Sequence, residues 1–228
     1  MWAVIKKELK SYFSTPIGYI FIGVFLIAFS ISFYFTVLQY GNVNFEYIYY
    51  SLPTILVLAF IIPLLTMRSF AEERKTGTEQ LLLTSPLSIT KMTLGKFFAA
   101  AIIAIITEVI TLMFFGILCF FGMPHLSTAL ATLLGFLLFM MAYISFGMLA
   151  SSITENQIIA GIISIAFFII TWVLPDFNSS LQGFSFINMF YKYTQGQIDI
   201  GDTITFITFT ITCLLLTITV IQRRKTVK

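Results

Sequence analysis

The sequence predicts an all-α, polytopic membrane protein with six transmembrane helices, an N-terminal interfacial amphipathic helix and both termini in the cytoplasm. Three observations carry that prediction. Of 228 residues, 58% are hydrophobic, 17% aromatic and only 10% charged, where a soluble chain carries roughly 25% charged residues to keep a wet surface. The mean hydropathy is +0.97, and six apolar runs have the length, about 20 residues, needed to cross some 30 Å of hydrocarbon. Finally, Lys192 alone among the Lys and Arg residues falls on the outer side of the resulting topology. The positive-inside bias assigns the other side to the cytoplasm. A soluble enzyme is excluded because it needs a charged surface, and disorder because it needs few aromatics.

The elements follow in order within a single domain, residues 1–228. Residues 2–14 open with WAVIKKELKSYF, in which Trp2, Ile5, Leu9, Tyr12 and Phe13 share one helical arc and Lys7, Glu8 and Lys10 lie elsewhere. Such a helix rests in the interface, its apolar face toward the acyl chains and its lysines near anionic headgroups. It serves either as a topogenic anchor or as a lever on the first span. The spans are Ile17–Gln39, Ser51–Met67, Phe97–Phe121, Ser127–Ala150, Gln157–Leu174 and Thr203–Ile221. The first is too long for a signal-peptide core and has no small-x-small cleavage site, so it is expected to remain in the mature chain. Pro53 sits in the first turn of the second span, where its missing N–H is harmless. Pro63 lies deeper and is expected to kink that helix. The last run, ITFITFTITCLLLTITVI, alternates like a strand, but a lone strand would leave its backbone unsatisfied in lipid, so it is read as helix.

Between the spans, the longest charged stretch is residues 68–96, on the cytoplasmic side. Thr76, Gly77, Thr78 and Glu79 have capping-box spacing, with Thr76 as N-cap and Glu79 reaching back. A short helix through Leu81, Leu82 and Leu83 is expected to stop at Ser85-Pro86, and Ser88 is expected to cap the helix leading into the third span. Three leucines outside the bilayer need cover, from headgroups or from a cleft on a cytoplasmic partner. The mixed charges of Glu72, Glu73, Arg74 and Lys75 favour the partner, because they give register to a polar rim. Outside, residues 175–202 are too polar to span. Their aromatics, Phe184, Phe186, Phe190, Tyr191 and Tyr193 among them, predict short re-entrant helices. Tyr40–Tyr50 and Gly122–Leu126 are read as small outer loops.

Catalytic and metal signatures are missing. There is no GxxxxGK[ST] phosphate loop, no HExxH and no GxSxG. His125 is the single histidine, and Cys119 and Cys213 both fall in apolar runs, so neither a disulfide framework nor a metal site is expected. One residue stands apart. Glu108 lies midway along the third span, where a carboxylate costs about 2.5–3.5 kcal/mol on insertion scales. Either it faces a translocation path or a subunit seam, or it is a protonated acid bonded to Thr107, Thr111 or the last span. Thr205, Thr208, Thr212 and Thr219 share one face of the last helix, as path lining or as interhelical bonding groups. An intramembrane enzyme using Glu108 and a passive channel are the rival classes.

The whole chain resembles the permease subunit of type-2 ABC exporters, closest to the gliding-motility branch. The residues that carry the likeness are EERKTGTEQLLLTSPLSITKMTLGK (Glu72–Lys96), SSITENQIIAGI (Ser151–Ile162), SFINMFYKYTQGQIDIGD (Ser185–Asp202) and the opening KKELKSYFSTPIGYIFIGVFLI. The resemblance implies a bacterial plasma-membrane exporter in which two permeases, the second an identical copy, work with two copies of a separate ATPase. ATP and Mg would bind in that partner, with no cofactor in this chain and no nucleic acid. It also implies that Glu72, Glu73, Arg74, Lys75, Thr76, Gly77, Thr78, Glu79, Leu81, Leu82, Leu83 and Pro86 form the region that docks on the ATPase. Small outer loops and apolar span surfaces favour an amphipathic or lipid-soluble cargo: a toxin-like or antimicrobial peptide, a drug or a lipid. Polysaccharide export and copper-enzyme maturation are the alternatives within the family.

Overall fold

The computed structural model describes residues 1–78, 88–177 and 185–227. Among these the fold is helical throughout, without a strand. The order is α1 (Trp2–Ser14), α2 (Ile17–Phe33) continued by a π-helical turn (Tyr34–Gln39), α3 (Phe45–Tyr50), α4 (Leu52–Thr66) and α5 (Arg68–Lys75). It continues with α6 (Ile89–Phe121), α7 (Leu126–Ile153), α8 (Gln157–Phe177), α9 (Phe186–Thr194) and α10 (Ile200–Val227). Five helical stretches are long and apolar enough to cross a membrane: Ile17–Gln39, Leu52–Lys75, Ile89–Phe121, Leu126–Ile153 and Ile200–Arg224. A shorter apolar helix covers Gln157–Val173.

Helix α7 is the centre of the bundle, packing on α10 most extensively and on α3, α4, α5, α6, α8 and α9. Its sequence permits this because small residues stand where neighbours press closest. At Gly147 a Cβ would overlap the Thr66 side chain of α4, so glycine sets the α4–α7 distance. Large aromatics fill the remaining space. Phe29 meets Tyr49 edge-on at 4.8 Å, and Tyr49 meets Phe136 at 4.7 Å, the geometry that ring quadrupoles favour.

Local chemistry explains the element ends. Pro53 occupies the first turn of α4. Pro63 lies inside α4, and the break falls at Met67, where α5 begins. Ser88 caps α6 as expected, its hydroxyl accepting from the Lys91 N–H at 3.4 Å. At 33 residues, α6 is about 50 Å long, some 20 Å more than the hydrocarbon it would cross. The strand-like threonine run is helical within α10, as backbone satisfaction demanded.

Two segments pack against protein more than the sequence suggested. The Tyr40–Tyr50 stretch, read as a small outer loop, contains the packed helix α3. Phe45, Ile48 and Tyr49 of α3 are buried completely, because FEYIYY puts three apolar side chains on one helical face. In α1 the apolar arc is divided: Ile5 and Tyr12 turn into protein and Trp2 stays exposed, so α1 is held by α6 as well as by its own amphipathicity. Where it is described, the aromatic segment forms α9, with Phe186, Ile187, Phe190 and Tyr193 buried in the bundle and Tyr191 exposed. Phe184 lies outside the described residues.

Candidate functional site

At the basic end of the bundle, α1, α5, the first turns of α6 and the ends of α7 and α10 meet. Lys96 is the hub, with 3% exposure. Its Nζ donates to Glu73 Oε1 at 2.6 Å, to the Ser69 carbonyl at 2.7 Å and to Glu8 Oε1 at 3.3 Å. It also lies 5.2 Å from the Phe70 ring centroid. All three ammonium protons thus have acceptors, the condition under which a buried cation is tolerated. One residue of α6 thereby ties α1 to α5. The close approach needs Gly95, where a Cβ would come within 2.8 Å of the Val4 side chain.

Helix α5 is held at both ends by α7. Its N-cap, Met67, supplies no side-chain oxygen, so the first N–H groups need another acceptor. Ser151 of α7 provides it, accepting from the Phe70 and Ala71 N–H groups at 3.1 Å each and donating to the Met67 carbonyl at 2.9 Å. Arg74 then donates to the Ile153 carbonyl at 3.2 Å and pairs with Glu155. Arg224 of α10 donates to the Ser152 carbonyl. Two arginines therefore satisfy two of the open carbonyls at the negative end of α7. Tyr12 of α1 donates to the Leu65 carbonyl at 3.3 Å, and burial pushes its phenol above the ordinary range, so it stays a neutral donor.

The docking residues named from sequence divide into three groups. Glu73 and Arg74 point into this junction and hold it. Lys75, Thr76, Gly77 and Thr78 are exposed and Glu72 is partly so, above a cleft of about 250 Å³ that Lys7, Tyr12, Arg68 and Glu72 help to line. Glu79, Leu81, Leu82, Leu83 and Pro86 lie outside the described residues. Thr76 is the C-cap of α5: its N–H and hydroxyl both donate to the Glu72 carbonyl, at 2.9 and 2.8 Å; the helix start expected from its capping-box spacing with Glu79 lies outside the described residues. Gly77 follows at φ +73°, the left-handed conformation that ends helices.

Glu108 is 7% exposed, and its Oε1 has no hydrogen-bond partner. The expected threonine bonds are not made: Thr107 donates to the Ile103 carbonyl at 2.8 Å, and Thr111 to the Glu108 carbonyl at 2.6 Å. The α10 threonines are not brought to Glu108's groove, which α6 and α7 line. Thr205, Thr208 and Thr212 donate to the carbonyls of Gly201, Ile204 and Thr208 of their own helix, at 2.9, 2.7 and 2.7 Å, so each gives its one proton within α10. At the opposite end, Lys192 pairs with Asp202 at 2.8 Å and Asp199 at 3.5 Å. The bond to Asp202 pushes its ammonium up. Among the described residues no group of three or more His, Cys, Asp or Glu could hold a metal ion.

The sequence reading passed over Ser151 as a cap, Glu8 as a buried partner and Arg224 as a clamp. The available signals were a Ser-Ser pair at the end of an apolar run and a glutamate between lysines on an otherwise membrane-facing helix.

Five membrane-length apolar helices among the described residues, with a polar junction at one end, mark a multi-pass membrane protein. The chain matches the family of ABC-2 family transporter proteins over residues 28–221. It belongs to that family and is the transmembrane subunit of an ABC transporter, a class that works with an ATPase partner. Comparison with curated proteins finds no matching relative.

Proposed function

We propose that this chain is the permease of an ATP-driven bacterial exporter, crossing the plasma membrane six times with both termini and the α5 junction in the cytoplasm. The sixth span is α8, and the basic residues at one end supply the orientation. The exporter would combine two identical permeases with two ATPases, each binding ATP and Mg outside this chain. Its cargo is an amphipathic or hydrophobic peptide, drug or lipid. The gliding-motility-type likeness of Glu72–Lys96 agrees with this assignment. The observation that carries the proposal is the exposed tip Lys75–Thr78, mounted on a helix that Lys96, Ser151 and Arg74 join to α1, α6 and α7. A partner pressing on that tip moves three helices together.

The test is copurification with a phosphate-loop ATPase encoded beside the gene, followed by ATP hydrolysis in nanodiscs against amphipathic peptides, drugs and lipids. Cargo-stimulated hydrolysis is expected, and Glu79→Lys with Leu82→Asp is expected to abolish either the association or the stimulation. Normal transport by that double variant would overturn the docking assignment.

A further inference from the structure

We propose that the groove between α6 and α7 is a binding site for a small lipid-soluble amine, with Glu108 as its counter-ion. The groove has a volume of about 310 Å³ and is walled by Ile105, Val109 and Leu112 of α6 and by Leu133, Leu134 and Leu137 of α7. That volume falls at the small end of ligand pockets, which combine apolar walls with a few placed polar groups. Glu108 is the polar group here. It lines the groove, is more than nine-tenths buried and leaves Oε1 without a partner.

The neighbouring hydroxyls are already committed. Thr107 and Thr111 donate to backbone carbonyls, and Tyr49 is bonded to Thr111. No described hydroxyl donates to the Glu108 carboxyl, and an ammonium in the groove that it lines would supply both a proton and the compensating charge. The leucine and isoleucine walls fit an alkyl or aryl body.

Depth selects among amines. On the six-span reading, on which this step rests, Glu108 lies midway between Phe97 and Phe121, about 15 Å from either interface. The headgroup amine of a phospholipid is anchored at the surface, whereas a free amphiphile can sink to that depth. A second copy of the chain is a poorer donor. The outward threonines of α10, Thr208 and Thr212, already give their protons to their own helix.

The test uses the full chain in nanodiscs of phosphatidylcholine and phosphatidylglycerol, photolysed with a diazirine-bearing decylamine or the matched decanol. The amine probe is expected to label the segments around Ile105–Leu112 and Leu133–Leu137, with competition by decylamine and none by decanol. Glu108→Gln is expected to cut labelling about tenfold or more, the value of one charge-assisted hydrogen bond. Leu134→Phe, which fills the groove and leaves the carboxyl, is expected to cut it as well and covers the case in which Glu108→Gln fails to fold. Equal labelling by the alcohol, or labelling unchanged in both variants, overturns the site. So does efficient cross-linking between copies from cysteines placed at Val109 and Leu134, which would make the occupant a second chain. No ATPase is present in this assay, so its failure leaves the exporter reading standing, and failure to recover an ATPase leaves the amine site standing.

Discussion

Replacing Lys96 with methionine keeps the bulk of the side chain and removes the ammonium. Glu8 and Glu73 then share a junction with no cation between them, and the Ser69 carbonyl loses its donor. Breaking a buried pair by deleting one partner costs about 3–5 kcal/mol. The two glutamate side chains keep 14% and 16% exposure, so water partly compensates and the low end, about 3 kcal/mol, is the expectation. That corresponds to roughly a hundredfold change in an opening equilibrium. Because the cluster fastens α1 to α6, amide exchange across Val4–Tyr12 should accelerate by that factor while the centre of α7 stays protected. Hydrogen-exchange mass spectrometry in nanodiscs reads both regions at once. Adding Glu8→Gln and Glu73→Gln to Lys96→Met removes the stranded charges and should restore most of the protection. Acceleration below threefold in the single variant, or no recovery in the triple, would refute the reasoning.

Three other outcomes follow from the same junction. Ser151→Ala removes the acceptor for two α5 N–H groups and should cost about 1–2 kcal/mol, seen as faster exchange at Phe70 and Ala71 with α1 unaffected. Gly95→Ala puts a Cβ 2.8 Å from Val4 Cγ1 and should cost about 1–3 kcal/mol as overpacking; Gly23→Ala, with nothing within 4 Å, should be neutral or slightly stabilising in thermal unfolding. Tyr12 is held above its ordinary value of 10.0 by burial. Its unfolded phenol ionises near that value and the folded one does not, so its contribution to stability is intact below about pH 10 and falls as pH rises further. Tyr12→Phe should therefore unfold less steeply than the parent between pH 10 and 11.5, as followed by circular dichroism.

The helical class and five membrane-length apolar helices were legible because hydrocarbon imposes one strong rule, that backbone groups be satisfied within the helix. The Ile17–Gln39 run and the Ser88 cap needed nothing beyond the local sequence. The junction was harder to read. Ser151 caps a helix some eighty residues away, and Glu8 faces a lysine 88 residues on; no local periodicity encodes either pairing. The role of Thr76 in closing α5 was not read, for a related reason. A threonine followed by glycine suits a helix end as well as a turn before a helix start, and the choice depends on whether α5 already occupies the preceding residues. Glu108 was noticed because a mid-span carboxylate is costly, but the Thr111 hydroxyl expected to bond it is claimed by a backbone carbonyl and by Tyr49. Competition among hydroxyls is settled by packing, not by spacing.

The two polar features of α6 belong to one mechanical element. From Ser88 to Phe121 the helix is unbroken, and Lys96 stands about 18 Å from Glu108 along its axis. Residues 97–107 contain neither glycine nor proline, so no hinge separates the two positions. Ala99, Ala100, Ala101 and Ala104 are all buried, giving this stretch the smooth surface that lets a helix slide against close neighbours. A displacement of α5 reaches α6 through the three hydrogen bonds of Lys96, because the buried ammonium cannot be left behind without stranding its charge. Without a hinge, the same displacement is carried along α6 to Glu108, while the other wall of its groove, α7, is fastened to α5 by Ser151 and Arg74. The junction thus grips both walls of the groove, one at Lys96 and the other at Ser151, and relative motion of these grips changes the space around the carboxyl.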